Sequence, residues 1–325
     1  MNVPLRRAAL ALIVSLLITS SVLAQSPVLE QNVRAELTFL ASDAMQGRGS
    51  GTVYERIAAE YVGSQFRQFG LEPGGDADAN GNKGFVQRVA LESARVAETW
   101  NVIGILRGSD PAAATEAIVL SAHLDHLGVS ETLEGDKIFN GADDDASGCV
   151  AVLELARALA AGKRPRRTIY FVGFGSEERG GYGSRHFRDN PPVPLTQIVA
   201  NLNFEMLGRP DPKVGADKLW LTGYERSNLG PELAKQGAAL VADPHPQQNF
   251  FQRSDNYSFA LRGVIAQTVS SFGLHTDYHR VTDEVSKVDF PFMTRAINSM
   301  VKPVLWLANS TFRPEWLPGQ APTRN

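Results

Sequence analysis

The sequence predicts an α/β protein: a mixed, mostly parallel central sheet with helices on both faces. Two observations carry this. Apolar runs of strand length alternate with stretches whose apolar residues recur at helical spacing, the pattern of strand–helix–strand units. Most acid and histidine clusters follow directly on those runs, where an open α/β sheet binds its ligands. The 325 residues are 43% hydrophobic and 21% charged. That composition excludes disordered, collagen-like and coiled-coil chains.

The elements follow in chain order. Helical spacing is read over Val33–Leu40 and Thr52–Phe69, where Ala58, Tyr61, Val62, Phe66 and Phe69 share one face and Gly70 marks the stop. Pro73–Gly84 is rich in Gly, Asn and Asp and reads as an exposed loop. Strands are expected near Phe85–Leu91, Val102–Leu106, Ala117–Ala122, Thr168–Phe174, Ile198–Phe204, Lys218–Thr222 and Val264–Gln267. Helices fit Ser147–Ala161, Pro231–Ala239 and Pro291–Asn309. No internal repeat and no long linker divides the chain. The expectation is therefore one catalytic domain over residues 25–325, with a helical lead-in over about 25–98.

The first segment reads as an address. Arg6 and Arg7 precede the apolar run Ala8–Ile18, and Val22-Leu23-Ala24 offers small-residue cleavage chemistry before Gln25. The run falls short of the ~20 residues a spanning helix needs. Residues 1–24 are expected to be a cleaved signal peptide, placing the protein in the periplasm or outside the cell with no stable membrane association. The net charge of −3 gives no basic footprint for nucleic acid. The single cysteine, Cys149, excludes an internal disulfide framework and thiolate metal clusters.

Five stretches carry chemistry. His123-Leu124-Asp125-His126 follows a strand, and an imidazole with a nearby carboxylate can serve as a metal ligand with its orienting partner. Asp143-Asp144-Asp145 precede a helix; capping explains one or two acids, but adjacent like charges repel unless a cation offsets them. Glu177-Glu178 also end a strand, suiting one metal ligand and one proton carrier. Glu205 interrupts the apolar stretch Asn203–Gly208, and a buried carboxylate needs a partner or a cation. His275 to Glu284 supplies two more histidines, His275 and His279, among acids.

In that order, HLD, ADDDASG, SEERGGYGS, NFEMLG and YHRVTDE resemble the M28 family of zinc-dependent peptidases, from about Asn101 to the C-terminal helix. Leu40–Gly51 (LASDAMQGRGSG) is similar to bacterial members. The resemblance implies the zinc-exopeptidase fold and two zinc ions bridged by Asp144. His123 and Glu205 would complete one zinc site, Glu178 and His279 the other. Asp125 matches the carboxylate that orients His123, Glu177 the general base, and Tyr278 a tyrosine that stabilises the oxyanion in some relatives. The implied activity is that of an aminopeptidase on peptides with a free N-terminus.

One departure matters. Many aminopeptidases of the family carry aspartate where this chain has Glu205, which keeps a metallo-carboxypeptidase or deacylase reading open. A binding protein that has lost catalysis is the reading from a different class. His126 is expected to be solvent-facing or hydrogen-bonding, His275 to support the site, and Cys149 to pack in the core. His186 and His245 receive no role. Ser254 or Asp255 is expected to cap a short helix, and Phe250, Phe251 and Tyr257 suit a pocket or the core equally.

Overall fold

A computed structural model describes residues 27–91 and 96–323. The expected signal peptide, 1–24, lies outside them. In chain order the strands are β1 (Glu72–Pro73), β2 (Val86–Ala90), β3 (Glu98–Leu106), β4 (Ala117–His123), β5 (Gly128–Val129), β6 (Ile138–Phe139), β7 (Thr168–Phe174), β8 (Ile198–Phe204), β9 (Leu219–Leu221), β10 (Leu240–Ala242) and β11 (Ala266–Ser270). The helices are α1 (Glu30–Leu40), α2 (Val53–Gln68), α3 (Gly148–Ala160), α4 (Tyr182–Asp189), α5 (Leu229–Lys235), α6 (Asn256–Ala260) and α7 (Phe290–Asn309).

The main sheet runs β1-β3-β7-β4-β8-β11-β9-β10, with β2 also paired to β3. Its centre, β7-β4-β8-β11, is parallel, and so is β9-β10. The pairings of β3 and the β11-β9 contact are antiparallel. The sheet is thus mixed with a parallel core, as the interleaved pattern predicts. Side chains of a strand alternate between faces, and β4 shows the result. Ile118, Leu120 and Ala122 join α1, α2, α3 and α7 in one apolar cluster, while Ala117 and Val119 join Phe187 of α4 and Phe259 of α6 in another. Helices therefore cover both faces, and β4, β7 and β8 are buried throughout.

Three expectations are corrected. β3 begins at Glu98 rather than Val102, because its first residues pair with β2 across an antiparallel ladder. β11 is shifted to Ala266–Ser270, where its register is set by β8. The helical stretch expected over Pro231–Ala239 ends at Lys235; Gly237, at φ +100°, turns the chain into β10, which pairs with β9. The C-terminal ends of β4, β7 and β8 all open toward the same edge, and the acid-rich loops leave from there.

Candidate metal centre

Each chemical side chain is placed by a strand end or by the turn after it. His123 is the last residue of β4, and its Nδ1 donates to the Asp125 carbonyl at 3.0 Å, leaving Nε2 facing inward. The expected orienting partner of this ring is the Asp125 carboxylate. Its Oδ1 lies 3.8 Å from the ring nitrogen, and the carboxylate instead accepts from the backbone N–H of Glu177 at 2.9 Å and Glu178 at 3.3 Å. Asp125 thus fixes the two-glutamate turn, and the ring takes its orientation from the main chain.

The turn Ala142–Ser147 brings Asp144 into the middle. It enters from Gly141 at φ +57°, where an added Cβ would sit 2.6 Å from the His126 ring. It leaves at Gly148, where a Cβ would meet the Phe204 carbonyl at 2.2 Å. Asp283, buried, accepts from the N–H of Asp143 and of Asp144. Asp145 accepts from the N–H of His123, Gly148 and Met206, tying three motif segments together. Asp143 is held by the Gly208 N–H at 2.6 Å and by His275 Nε2 at 2.8 Å. His275 supports the site from behind, as expected.

The donor atoms converge around Asp144. Its Oδ1 lies 3.2 Å from His123 Nε2, and its Oδ2 lies 3.1 Å from His279 Nε2. His279 Nε2 is also 3.2 Å from Glu178 Oε1. His123, Asp144 and Glu205 present donor atoms within 4.8 Å of one another, as do His126, Asp144 and Glu178. Four-coordinate zinc with bonds of about 2.0–2.1 Å sets neighbouring donors about 3.3 Å apart. The measured separations match that edge, and the nitrogen–oxygen donor set without thiolate suits zinc. Apart from the His279 ring nitrogen, Asp144 Oδ2 is buried without a hydrogen-bond partner among the described residues.

Charges in the centre lean the same way. Burial raises Glu177 well above the usual carboxylate range, and the neighbouring Glu205, Asp255 and Glu178 add to the rise. Burial likewise lifts Glu205 to about 7, with Asp144 contributing. Burial disfavours a charged His279, yet its contacts to Asp144 and Glu178 hold it up at about 10. Carboxylates packed so closely favour an added cation.

Residues without an expected ligand role also meet here. His126 is buried, not solvent-facing, and its Nδ1 donates to Glu178 Oε1 at 2.9 Å. Arg48, from the lead-in, is fully buried and donates to the carbonyls of Leu40 at 2.6 Å, Leu124 at 2.9 Å, Asn140 at 2.8 Å and Gly141 at 3.0 Å. Ser50 donates to the Asp125 carboxylate, and Glu55 accepts from the Ser176 N–H at 2.8 Å. Asp255 precedes α6, but its side chain makes no capping bond; both carboxylate oxygens are buried without a partner among the described residues. Cys149 packs as expected, its thiol 3.0 Å from the His123 carbonyl. Tyr278 stacks on His279, with ring centroids 3.9 Å apart. It lines an aromatic pocket with Glu205, Trp220, Phe250 and Phe272.

Comparisons with known proteins identify a family and a shared fold. Residues 101–303 match the model of Peptidase family M28. A probable zinc metalloprotease of Leptosphaeria maculans is 28% identical over 184 residues, which cover 54% of this chain and 41% of that protein. An aminopeptidase of Pseudomonas aeruginosa is 36% identical over 115 residues, 35% of this chain and 19% of its own length. The chain thus spans less than half the length of these curated relatives. The solved zinc aminopeptidase of Bacillus subtilis shares the fold, with a TM-score of 0.68 over 87% of this chain and 96% of its own, at 16% identity.

Proposed function

This chain belongs to peptidase family M28, and on that premise we propose that it is a dizinc exopeptidase, an aminopeptidase acting on peptides with a free N-terminus. The observation that carries the reading is the position of Asp144, whose two oxygens face two separate donor sets. His123, Asp144 and Glu205 would hold one ion; Asp144, Glu178 and His279 would hold the other. Zinc supplies Lewis acidity, easing loss of a proton from water and polarising the scissile carbonyl.

The remaining steps belong to side chains. Glu177 takes the proton of the attacking water as the water oxygen bonds to the carbonyl carbon. As the carbon–nitrogen bond breaks, Glu177 returns that proton to the leaving nitrogen. Its raised affinity for a proton suits both halves of that task. Asp125 holds Glu177 through its backbone N–H, so the base is fixed at its main chain and free at its carboxylate. Tyr278, which lines the aromatic pocket with Glu205, is assigned to stabilising the developing oxyanion. Residues 1–24 act as a cleaved signal, and the protein works in the periplasm or outside the cell. Glu205 favours one second reading, a metallo-carboxypeptidase or deacylase on the same centre.

Metal content per chain, paired with hydrolysis of unblocked amino-acyl anilides with and without chelator, tests the reading. Close to two zinc ions with chelator-sensitive cleavage is the expected result. Two zinc ions with cleavage confined to N-blocked peptides bearing a free C-terminus would replace it with the second reading. Absence of metal from carefully purified protein would overturn both.

A further inference from the structure

The base that accepts a proton from water must hand it to the leaving nitrogen, so the departing part of the substrate lies beside Glu177. The structure has a groove there of about 470 Å³, lined by Glu177 and, farther out, by Arg185, Arg188 and Arg253. Arg185 and Arg188 lie one turn apart on α4 and therefore share a face. Arg188 is bound to Asp189 at 2.5 Å. Arg185 and Arg253 make no ion pair among the described residues, and Arg253 lies over the Phe250 ring at 5.0 Å. The groove's own acids are Glu177, half-buried, and Asp255, buried, while Arg185 and Arg253 are exposed.

The other side of the centre differs in kind. The pocket beside Glu205 and Tyr278 is walled by Trp220, Phe250 and Phe272, and Arg253 and Ser254 border both cavities. A peptide crossing the centre would meet aromatic rings before the scissile bond and guanidinium groups after it. Guanidinium forks pair with carboxylates in a bidentate geometry that an amide does not reproduce.

Resting on the exopeptidase reading above, we propose that the groove beside Glu177 is a carboxylate-binding subsite. Arg185 and Arg253 are its specificity residues. Its substrates carry a carboxylate on the residue just after the scissile bond. That carboxylate comes from either of two sources, the free C-terminus of a dipeptide or an acidic side chain.

The test compares kcat/KM for Leu-Ala with Leu-Ala-amide, and for Leu-Glu-amide with Leu-Gln-amide. The first pair reads the terminal carboxylate and the second the acidic side chain. At least one carboxylate substrate should exceed its neutral partner by about tenfold, mainly through KM. Arg185→Gln and Arg253→Gln should each pull that ratio toward one, with Arg185→Lys intermediate. The same pairs titrated calorimetrically into the Glu177→Gln protein read the preference as a Kd ratio, without turnover. Ratios near one in both pairs by both measurements, or a ratio untouched by either Gln variant, would overturn the subsite. Loss of all cleavage with the Kd preference intact would sink the exopeptidase reading and leave the subsite standing.

Discussion

Replacing Arg48 with Met tests whether the lead-in segment builds the metal centre or only covers it. Methionine keeps much of the length and apolar bulk, so the chief loss is the guanidinium. Four carbonyl groups lose its hydrogen bonds. Gly141 still accepts from Ala146, at 3.2 Å. Leu40, Leu124 and Asn140 would be left unpaired where no water reaches, at about 1–3 kcal/mol for each group. Relief of the desolvated charge offsets part of this, since burial already pulls the Arg48 guanidinium below its ordinary value. A net loss of about 3 kcal/mol is expected, a large share of the 5–15 kcal/mol that holds a typical domain together. With a urea slope of about 3 kcal/mol/M, the unfolding midpoint should fall by about 1 M. The same variant should bind zinc about tenfold more weakly by competition with a chelating dye, because Leu124 and Gly141 flank His123 and Asp144. Arg48→Lys should recover part of both losses. An unchanged urea midpoint would refute the hydrogen-bond reasoning. A lowered midpoint with unchanged zinc affinity would show that the segment stabilises the fold without positioning the centre.

Glu177→Gln should keep its zinc content by mass and metal analysis while kcat falls by about 10²–10⁴, whereas Asp144→Asn should lose metal. Equal metal loss in the two would contradict their separate roles. Zinc at about 100 times its Kd should stabilise the native chain by about 2.7 kcal/mol, raising Tm in the wild type but not in Asp144→Asn. Glu36 is buried near Glu154, and burial first, then that neighbour, raises its pKa well above 4.5. The folded state therefore holds this proton more tightly, so stability declines as pH rises from about 4.5 through the folded value. Glu36→Gln should match the wild type near pH 4 and exceed it at pH 8 in urea melts; a constant difference across that range would refute the assignment.

Strands whose burial is complete were legible from the sequence. Thr168–Phe174 and Ile198–Phe204 are mostly apolar and appear with the expected bounds. So were the ligand candidates, because their loops follow those strands. What escaped depends on distant partners. His126 looks like any polar residue past a strand end until Glu178, far along the chain, comes within 2.9 Å. β10 is short and lies just beyond the helix expected to end at Ala239; only its pairing with β9 makes it a strand. Arg48 left one signal, a basic residue in the Gly-rich stretch Gln46–Gly51. The carbonyls that it joins carry no mark in the sequence. Asp283 is similar, since its partners are backbone N–H groups.

The spread of the centre along the chain has a consequence for when the site can form. Its proposed donors come from positions 123, 144, 178, 205 and 279, braced by Arg48 near one end and Asp283 near the other. Contacts so far apart in sequence form late in folding, after long loops have closed. A chain still being synthesised, lacking His279 and Asp283, has two of the three residues of one donor set and a turn at Asp144 without its brace. Metal capture and chain completion are therefore linked events.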